Sequence, residues 1–125
     1  MIGLGIDLCQ VERIERAIAA HEAFLSRYYT EEEQAYIARR GKAGAQSAAA
    51  MFAAKEALLK AMGVGLSGGI SLREIGVCHD ENGAPRYELT GAAADRLRSM
   101  GGGMIYLSLT HEGGTAAAVA VIERA

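Results

Sequence analysis

The feature that most constrains this chain is a long alanine- and leucine-rich segment with two charged residues in its middle. Residues 51–65 read MFAAKEALLKAMGVG, and alanine and leucine favour a helix strongly. At about 100° per residue, Lys55 falls on an apolar face, whereas Glu56 and Lys60 fall together on the neighbouring edge. Glutamate and lysine at this spacing suit a surface helix, but a solvated face would normally carry more polar residues. The segment predicts a helix and leaves open whether its charges serve a surface or a functional site.

Length and composition indicate one domain, residues 1–125, with a hydrophobic core large enough to be stable without disulfides or structural metal ions. No apolar run approaches the roughly 18 residues of a membrane span, and the first ten residues lack the basic region of a signal peptide. Cys9 and Cys78 show no disulfide or metal-ligand spacing, which suits a reducing cytoplasm. A net charge of −2 does not indicate a nucleic-acid partner, so any anion site must be a local patch.

The N-terminal part combines one strand with helical segments. Residues 2–8 alternate apolar side chains with glycines and Asp7, which predicts a half-buried strand whose opposite face is nearly bare backbone. A helical period follows at residues 11–18, and residues 21–29 continue it after a break. A capping box at residues 30–33 starts the next helix.

Stop and start signals separate that helix from the long one. We expect the first to run to about Arg40 and to end at Gly41, with a loop at residues 42–46. Ser47 is the expected N-cap of the long helix, which continues through Met62.

The C-terminal half contains two predicted hairpins. We expect a glycine-rich loop at 63–69, strands at 72–79 and 86–89 around an Asn-Gly turn, a helix at 92–100 capped by Thr90, and strands at 104–110 and 115–122 around a turn at 111–114. The organisation is α+β, with antiparallel strands concentrated in this half.

Two carboxylates have unusual positions. Asp7 ends a glycine-flanked strand, and Glu56 lies inside an apolar helix. Paired hard oxygen ligands suit Mg²⁺, which commonly takes one or two protein carboxylates. Asp7 alone also suits a strand end or a helix cap, although the glycines beside it would let a phosphate approach the backbone.

Lysines, glycines and a histidine are candidates for contacting an anionic ligand. Basic residues at 39–42 stand at a helix C-terminus, where the dipole alone favours cations. Paired glycines leave room for a phosphate, and a histidine in a turn is either solvated or a ligand contact. These candidates are Lys42, Lys60, Gly63, Gly65 and His111.

Several motifs in a fixed order make the sequence specific. They are GIDL at 5–8, FAAKEA at 52–57, KAMG at 60–63, NGAP at 82–85 and SLTH at 108–111. Together they resemble the holo-acyl carrier protein synthases, the small cytoplasmic type of 4′-phosphopantetheinyl transferase, over essentially the whole chain. Members usually carry arginine immediately before the phenylalanine, where this chain has Met51. The resemblance therefore implies less positive charge near a bound nucleotide.

The resemblance implies a fold and a reaction. The 4′-phosphopantetheinyl transferase fold packs helices on an antiparallel sheet and forms homotrimers with active sites between neighbouring subunits. Coenzyme A is the donor and an apo acyl carrier protein is the acceptor, whose serine attacks the phosphorus attached to pantetheine. The family's carriers serve fatty acid or polyketide synthesis, and the sequence does not choose between them. Alternatives are a non-catalytic homologue that binds coenzyme A or a carrier, and a trimeric scaffold with Glu56 and Lys60 as an intersubunit pair.

The resemblance also implies residue roles. Asp7 and Glu56 would hold Mg²⁺, and Lys60 would offset charge on the phosphates. Either Glu56 or a metal-bound water would take the serine proton. Lys55 is expected to pair with a carboxylate near the metal, because a buried unpaired ammonium is costly. The residues expected around coenzyme A are Lys42, at the 3′-phosphate, with Lys60, Gly63, Gly65, Pro85 and His111, the last near a neighbouring subunit's ligand.

A basic surface is needed for an acidic carrier protein. The family uses an arginine at the position of Arg13, and Arg16 lies three residues further along the same helix, so the two are surface neighbours. Glu12 and Glu15 would neutralise both arginines in an ordinary solvated face.

Overall fold

The structure is a computed structural model, and it describes residues 1–65 and 68–125. Its α-helices are α1 (Val11–Ala20), α2 (Phe24–Tyr28), α3 (Glu31–Arg39), α4 (Gly44–Ala61) and α5 (Gly91–Ser99). Its strands are β1 (Gly3–Gln10), β2 (Ile75–His79), β3 (Pro85–Leu89), β4 (Gly102–Glu112) and β5 (Thr115–Arg124). The predicted α+β class is confirmed. Of the glycine-rich loop predicted at 63–69, Leu66 and Ser67 lie outside the described residues.

Helix α4 packs on a three-stranded antiparallel sheet of order β1-β5-β4, while β2 and β3 form a separate hairpin. Strand β5 supplies the contact surface, since its alternate residues Ala116, Ala118 and Ala120 are buried. These small side chains let the helix lie close to the sheet. Among the described residues, no helix combines the length and apolar character needed to cross a lipid bilayer.

The two faces of β1 are the reverse of what its alternation suggested. Leu4, Ile6 and Leu8 are 59%, 59% and 64% exposed, whereas the glycine face lies against α4. A Cβ at Gly5 would lie 1.9 Å from the Ala57 carbonyl oxygen, so the helix backbone occupies the space of a side chain. The apolar side chains therefore point away from α4.

Helix boundaries confirm one predicted cap and correct another. The Thr30 side chain accepts from the Glu33 amide at 3.1 Å, and Glu33 accepts from the Thr30 amide at 2.7 Å, so the capping box is confirmed. The loop at 42–46 and the Ser47 cap were wrong, because a 3₁₀ turn leads directly into α4 at Gly44. A Cβ at Gly44 would lie 2.7 Å from the Ile37 carbonyl oxygen, so only glycine lets the two helices join this closely.

The C-terminal hairpins match the prediction with shifted ends. The turn of the last hairpin is only Gly113 and Gly114, both at positive φ (59° and 81°), as a two-residue hairpin turn requires. His111 therefore belongs to β4 and not to the turn. Thr90 precedes α5 as expected but makes no side-chain cap; the Glu74 carboxylate accepts from the Ala92 amide instead, at 2.7 Å.

A buried ion pair connects α4 to α3 and β2. Lys55 and Glu33 are 0% and 2% exposed, and the Lys55 ammonium donates to Glu33 Oε1 at 2.8 Å. The same ammonium donates to the carbonyl oxygens of Leu72 and Ile75, at 2.9 and 2.7 Å. Burial lowers the pKa of Lys55 and the Glu33 carboxylate partly offsets that shift. The prediction that Lys55 pairs with a carboxylate is confirmed, and its partner is Glu33 of α3 and not Asp7 or Glu56.

Substituting each lysine of α4 in turn separates a structural ion pair from an exposed one. Lys55→Ala would leave the Glu33 carboxylate buried without its cation, so we expect the free energy of unfolding to fall by about 3–5 kcal/mol. Lys60→Ala, the matched control, removes a 2.9 Å pair whose lysine is 56% exposed. Its expected loss is at most about 1 kcal/mol. Urea unfolding at one protein concentration measures both, and equal losses would contradict the structural role of Lys55.

Candidate active site

Asp7 meets α4 where the glycine face of β1 brings strand and helix together. The Lys60 ammonium donates to Asp7 Oδ1 at 2.9 Å and to the Ile6 carbonyl oxygen at 3.0 Å. The Asp7 side chain is 13% exposed, whereas that of Lys60 is 56% exposed. The structure thus brings together two of the three predicted catalytic residues, with the carboxylate sheltered and the ammonium open to solvent.

Glu56 lies one turn before Lys60 on the same helix and is half-buried. Its pKa is raised by burial and by the negative charge of Asp7, while the cations Arg13 and Lys60 act in the opposite direction. A carboxylate that senses the charge of Asp7 belongs to the same electrostatic cluster. The site therefore consists of two carboxylates and two cations at the junction of β1, α1 and α4.

The donor set of this cluster fits a hard divalent cation. Mg²⁺ is commonly held by one or two carboxylates and completes its coordination with water and substrate phosphates. Within residues 1–65 and 68–125, no group of three or more His, Cys, Asp or Glu side chains is arranged to hold a metal ion. A two-carboxylate site is therefore the chemistry that Asp7 and Glu56 offer.

Helix α1 presents its two arginines differently. The Arg13 guanidinium lies over the Phe52 ring, 5.6 Å from its centroid, and faces the carboxylate cluster. Arg16 forms an exposed i,i+4 ion pair with Glu12 at 3.1 Å. Arg16 therefore belongs to a neutralised, solvated face, whereas the Arg13 guanidinium packs on the Phe52 ring at the edge of the site.

The other predicted ligand residues lie at both ends of α4. Lys42 is exposed in the turn before α4. His111 Nδ1 is 2.8 Å from the side-chain nitrogen Nε2 of Gln46, which lies in the first turn of α4. Gln46 precedes Glu56 by ten residues, which is roughly 15 Å along a helix axis. Lys42 and His111 are thus separated from the carboxylate cluster within this chain.

Residues after α4 are placed by an arginine that the sequence did not reveal. Arg96 of α5 donates twice to the Met62 carbonyl oxygen, at 3.0 and 2.6 Å, and so caps the end of α4. Gly63 follows with φ 70°, and Gly65 is exposed. No local sequence signal identifies such a cap, because its donor lies 34 residues away.

Two further positions lie apart from the cluster. Pro85 is the first residue of β3 and is half-buried. Met51 is 1% exposed and fills the core beneath α4, so this position adds no side chain to the surface.

A separate cleft of about 650 Å³ lies between α3 and the β2–β3 hairpin. None of the predicted site residues lines it. Its lining mixes acidic side chains, such as Glu32 and Glu88, with the basic Arg39 and Arg73, so it does not present one sign of charge to an anionic ligand.

Comparison with known proteins identifies the family of this chain. Residues 3–117 match the sequence profile of the 4′-phosphopantetheinyl transferase superfamily. The holo-[acyl-carrier-protein] synthase of Treponema denticola is 46% identical over 123 residues, covering 98% of each chain. The crystal structure of the synthase from Neisseria meningitidis superimposes with a TM-score of 0.89 at 36% identity, over 99% of this chain and 100% of that one. The Helicobacter pylori synthase in complex with coenzyme A gives 0.83 at 28% identity, over 96% and 99%. The chain therefore belongs to the 4′-phosphopantetheinyl transferase superfamily, as a member of its holo-[acyl-carrier-protein] synthase family.

Proposed function

We propose that this chain transfers the 4′-phosphopantetheine group of coenzyme A to a serine of an apo acyl carrier protein. The serine oxygen forms a bond to the phosphorus attached to pantetheine, and the bond from that phosphorus to the bridging oxygen breaks, releasing adenosine 3′,5′-bisphosphate. The convergence of Asp7, Glu56 and Lys60 in a chain of this family carries the proposal. The coenzyme A complex of the Helicobacter pylori relative supports the donor.

In this proposal Asp7 and Glu56 hold Mg²⁺. When bound, Mg²⁺ would neutralise charge on the donor phosphates and on the leaving group. Lys60 adds a positive charge one turn beyond Glu56, and its side chain is 56% exposed, so a phosphate can reach the ammonium from solvent. Lys42 is assigned to the 3′-phosphate of coenzyme A, and Gly63, Gly65, Pro85 and His111 are assigned to other contacts with the donor.

Removing either carboxylate tests the metal assignment. Asp7→Asn and Glu56→Gln keep the side-chain size, and we expect each to lower transfer at ordinary Mg²⁺ concentration by roughly 10²-fold or more, because metal charge stabilisation is worth several kcal/mol. Asp95→Asn, an exposed carboxylate on α5 paired with Arg98, is the matched control. Transfer is read by intact mass of a carrier protein incubated with coenzyme A and Mg²⁺. Near-normal transfer by either variant at low Mg²⁺ would refute the assignment.

We further propose that the chain acts as a homotrimer. The sheet face that points away from α4 exposes five large apolar side chains, namely Leu4, Ile6, Leu8, Met104 and Tyr106. A contiguous face of this kind is typical of a protein–protein interface. In this proposal His111 of one subunit lies near the ligand of a neighbouring subunit.

Placing a charge on this face tests the association. Tyr106 is 51% exposed on β4, so Tyr106→Glu should leave the fold intact and produce monomers with little transfer activity. Ala38→Glu, at an exposed position of α3, is the control and should remain trimeric. Sedimentation velocity measures the mass, and a stable, active monomer of the unaltered chain would contradict the proposal.

Arg13 and Arg16 on α1 are the proposed docking surface for the carrier protein. Arg13 lacks an ion-pair partner among those formed by the described residues, whereas Arg16 is already paired with Glu12. An exposed cation beside the active site suits an acidic partner, mainly by speeding encounter. The contribution of Arg13 should therefore exceed that of Arg16.

Comparing variants of the two arginines tests whether Arg13 contributes more than Arg16 to docking of the carrier protein. Arg13→Gln removes the cation without adding a third carboxylate beside Asp7 and Glu56. We expect it to raise the Michaelis constant for the carrier several-fold, far more than that for coenzyme A, and to flatten the salt dependence of turnover. Arg16→Gln should have a smaller effect. Unaltered carrier kinetics of Arg13→Gln at low salt would place the docking surface elsewhere, with Arg27 as the next candidate.

We place the protein in the cytoplasm. Cys9 and Cys78 are both free, one buried and one half-buried. Thiols remain reduced in that compartment. Burial raises the pKa of the Cys9 thiol, so this cysteine is kept in its uncharged form.

A further inference from the structure

The charges around Asp7 already balance. The Lys60 ammonium donates to Asp7 at 2.9 Å, and the cations Lys60 and Arg13 both act to lower the pKa of Glu56, so two carboxylates are matched by two cations. A divalent cation added to a neutral cluster gains less than one added to two free carboxylates. The affinity for a divalent cation therefore depends on whether Lys60 and Arg13 stay in place.

Lys60 contacts Asp7 in the way a bound cation would. Its ammonium lies between a carboxylate oxygen and a backbone carbonyl oxygen, at 2.9 and 3.0 Å. Both are hard oxygen donors of the kind that also bind Mg²⁺. The lysine is 56% exposed on a flexible stem, so the ammonium can leave at small cost, whereas Asp7 is held in β1.

We propose that Lys60 and the divalent ion compete for Asp7, so that metal binding releases Lys60 to contact the donor phosphates. The proposal deepens the function given above and rests on it. A double positive charge at Asp7 repels the ammonium, and the phosphates of coenzyme A offer the released lysine a new partner. Metal binding frees Lys60 to contact the donor phosphates, and the bound donor gives the displaced lysine a new partner. Each ligand therefore increases the affinity for the other.

Direct metal binding gives the first test, with Mn²⁺ as the probe and EPR of the free ion as the readout. Without coenzyme A, Lys60→Met should bind Mn²⁺ roughly fivefold more tightly than the unaltered chain, the size expected when an exposed ion pair no longer competes. Arg98→Met, the matched control, removes an exposed cation on α5 that is paired with Asp95 and should leave the dissociation constant unchanged. Lys42→Met is prepared only to assign the lysine signals of the second test. Asp7→Asn should remove this binding. Coenzyme A should tighten Mn²⁺ binding more in the unaltered chain than in Lys60→Met.

The second test follows the lysine itself, because loss of a charge alone would also favour Mn²⁺. The chain contains three lysines, Lys42, Lys55 and Lys60. Protein labelled with ¹³C-lysine therefore gives three ε-methylene signals, assigned with the two lysine-to-methionine variants. Saturating Mg²⁺ should move the Lys60 signal to its position in Asp7→Asn and leave the other two in place.

The outcomes separate this inference from the proposed function. If Mg²⁺ binds through Asp7 while the Lys60 signal stays, the competition is overturned and the metal site stands. If Asp7→Asn does not change Mn²⁺ binding, the metal site and the competition both fail. Absence of transfer to a carrier protein would overturn the proposed function alone.

Discussion

The ion pair between Lys55 and Glu33 is the contact on which the arrangement of α4 depends. Glu33 serves three elements at once, through the Thr30 amide that starts α3, the Lys55 ammonium on α4 and the Val77 amide on β2, the last at 2.8 Å. Lys60 follows Lys55 by five residues, about 140° around the helix. One lysine therefore anchors α4 in the core, and the other faces the carboxylate cluster. A helix that tilted to satisfy Lys55 differently would carry Glu56 and Lys60 away from Asp7.

The second constraint is the close approach of β1 to α4. A Cβ at Gly3 would lie 2.3 Å from the Ala61 carbonyl oxygen, so both glycines of this face are required by the helix backbone itself. Asp7 is the next residue on that face, and its side chain accepts a hydrogen bond from Lys60 of the helix at 2.9 Å. The glycines thus set the distance at which a strand carboxylate and a helix carboxylate share one site. Their role in the structure is to permit this close approach of the strand to the backbone of α4.

Local signals predicted the elements, and long-range contacts decided the rest. The capping box of α3 and the turn at Gly113 and Gly114 depend on residues a few positions apart, so their chemistry is legible in sequence. The alternation of β1 gives two faces but does not say which one meets a helix, since that depends on where α4 packs. The Glu33 carboxylate completes a local capping box, and that role alone explains the residue in the sequence. Its second role, as the partner of Lys55 22 residues away, therefore could not be predicted. The pairing of Asp7 with Glu56 was expected from the order of the motifs in the chain, and the structure places Lys60 of the Glu56 helix 2.9 Å from Asp7.

The packing of α4 explains both why one face of the sheet is exposed and why the predicted ligand residues form two separate groups. Small residues of β1 and β5 face the helix, while Leu4, Ile6 and Leu8 of β1 and Met104 and Tyr106 of β4 are exposed. The same helix carries Glu56 and Lys60 near its end and meets His111 at its beginning, which keeps the two groups apart within one chain. Association through the outward face covers apolar surface and, in the proposed trimer, supplies each carboxylate cluster with the residues from another chain's helix start. Burial of that face and completion of the site are then a single event, so a chain that fails to associate lacks part of its donor site even when its own core is intact.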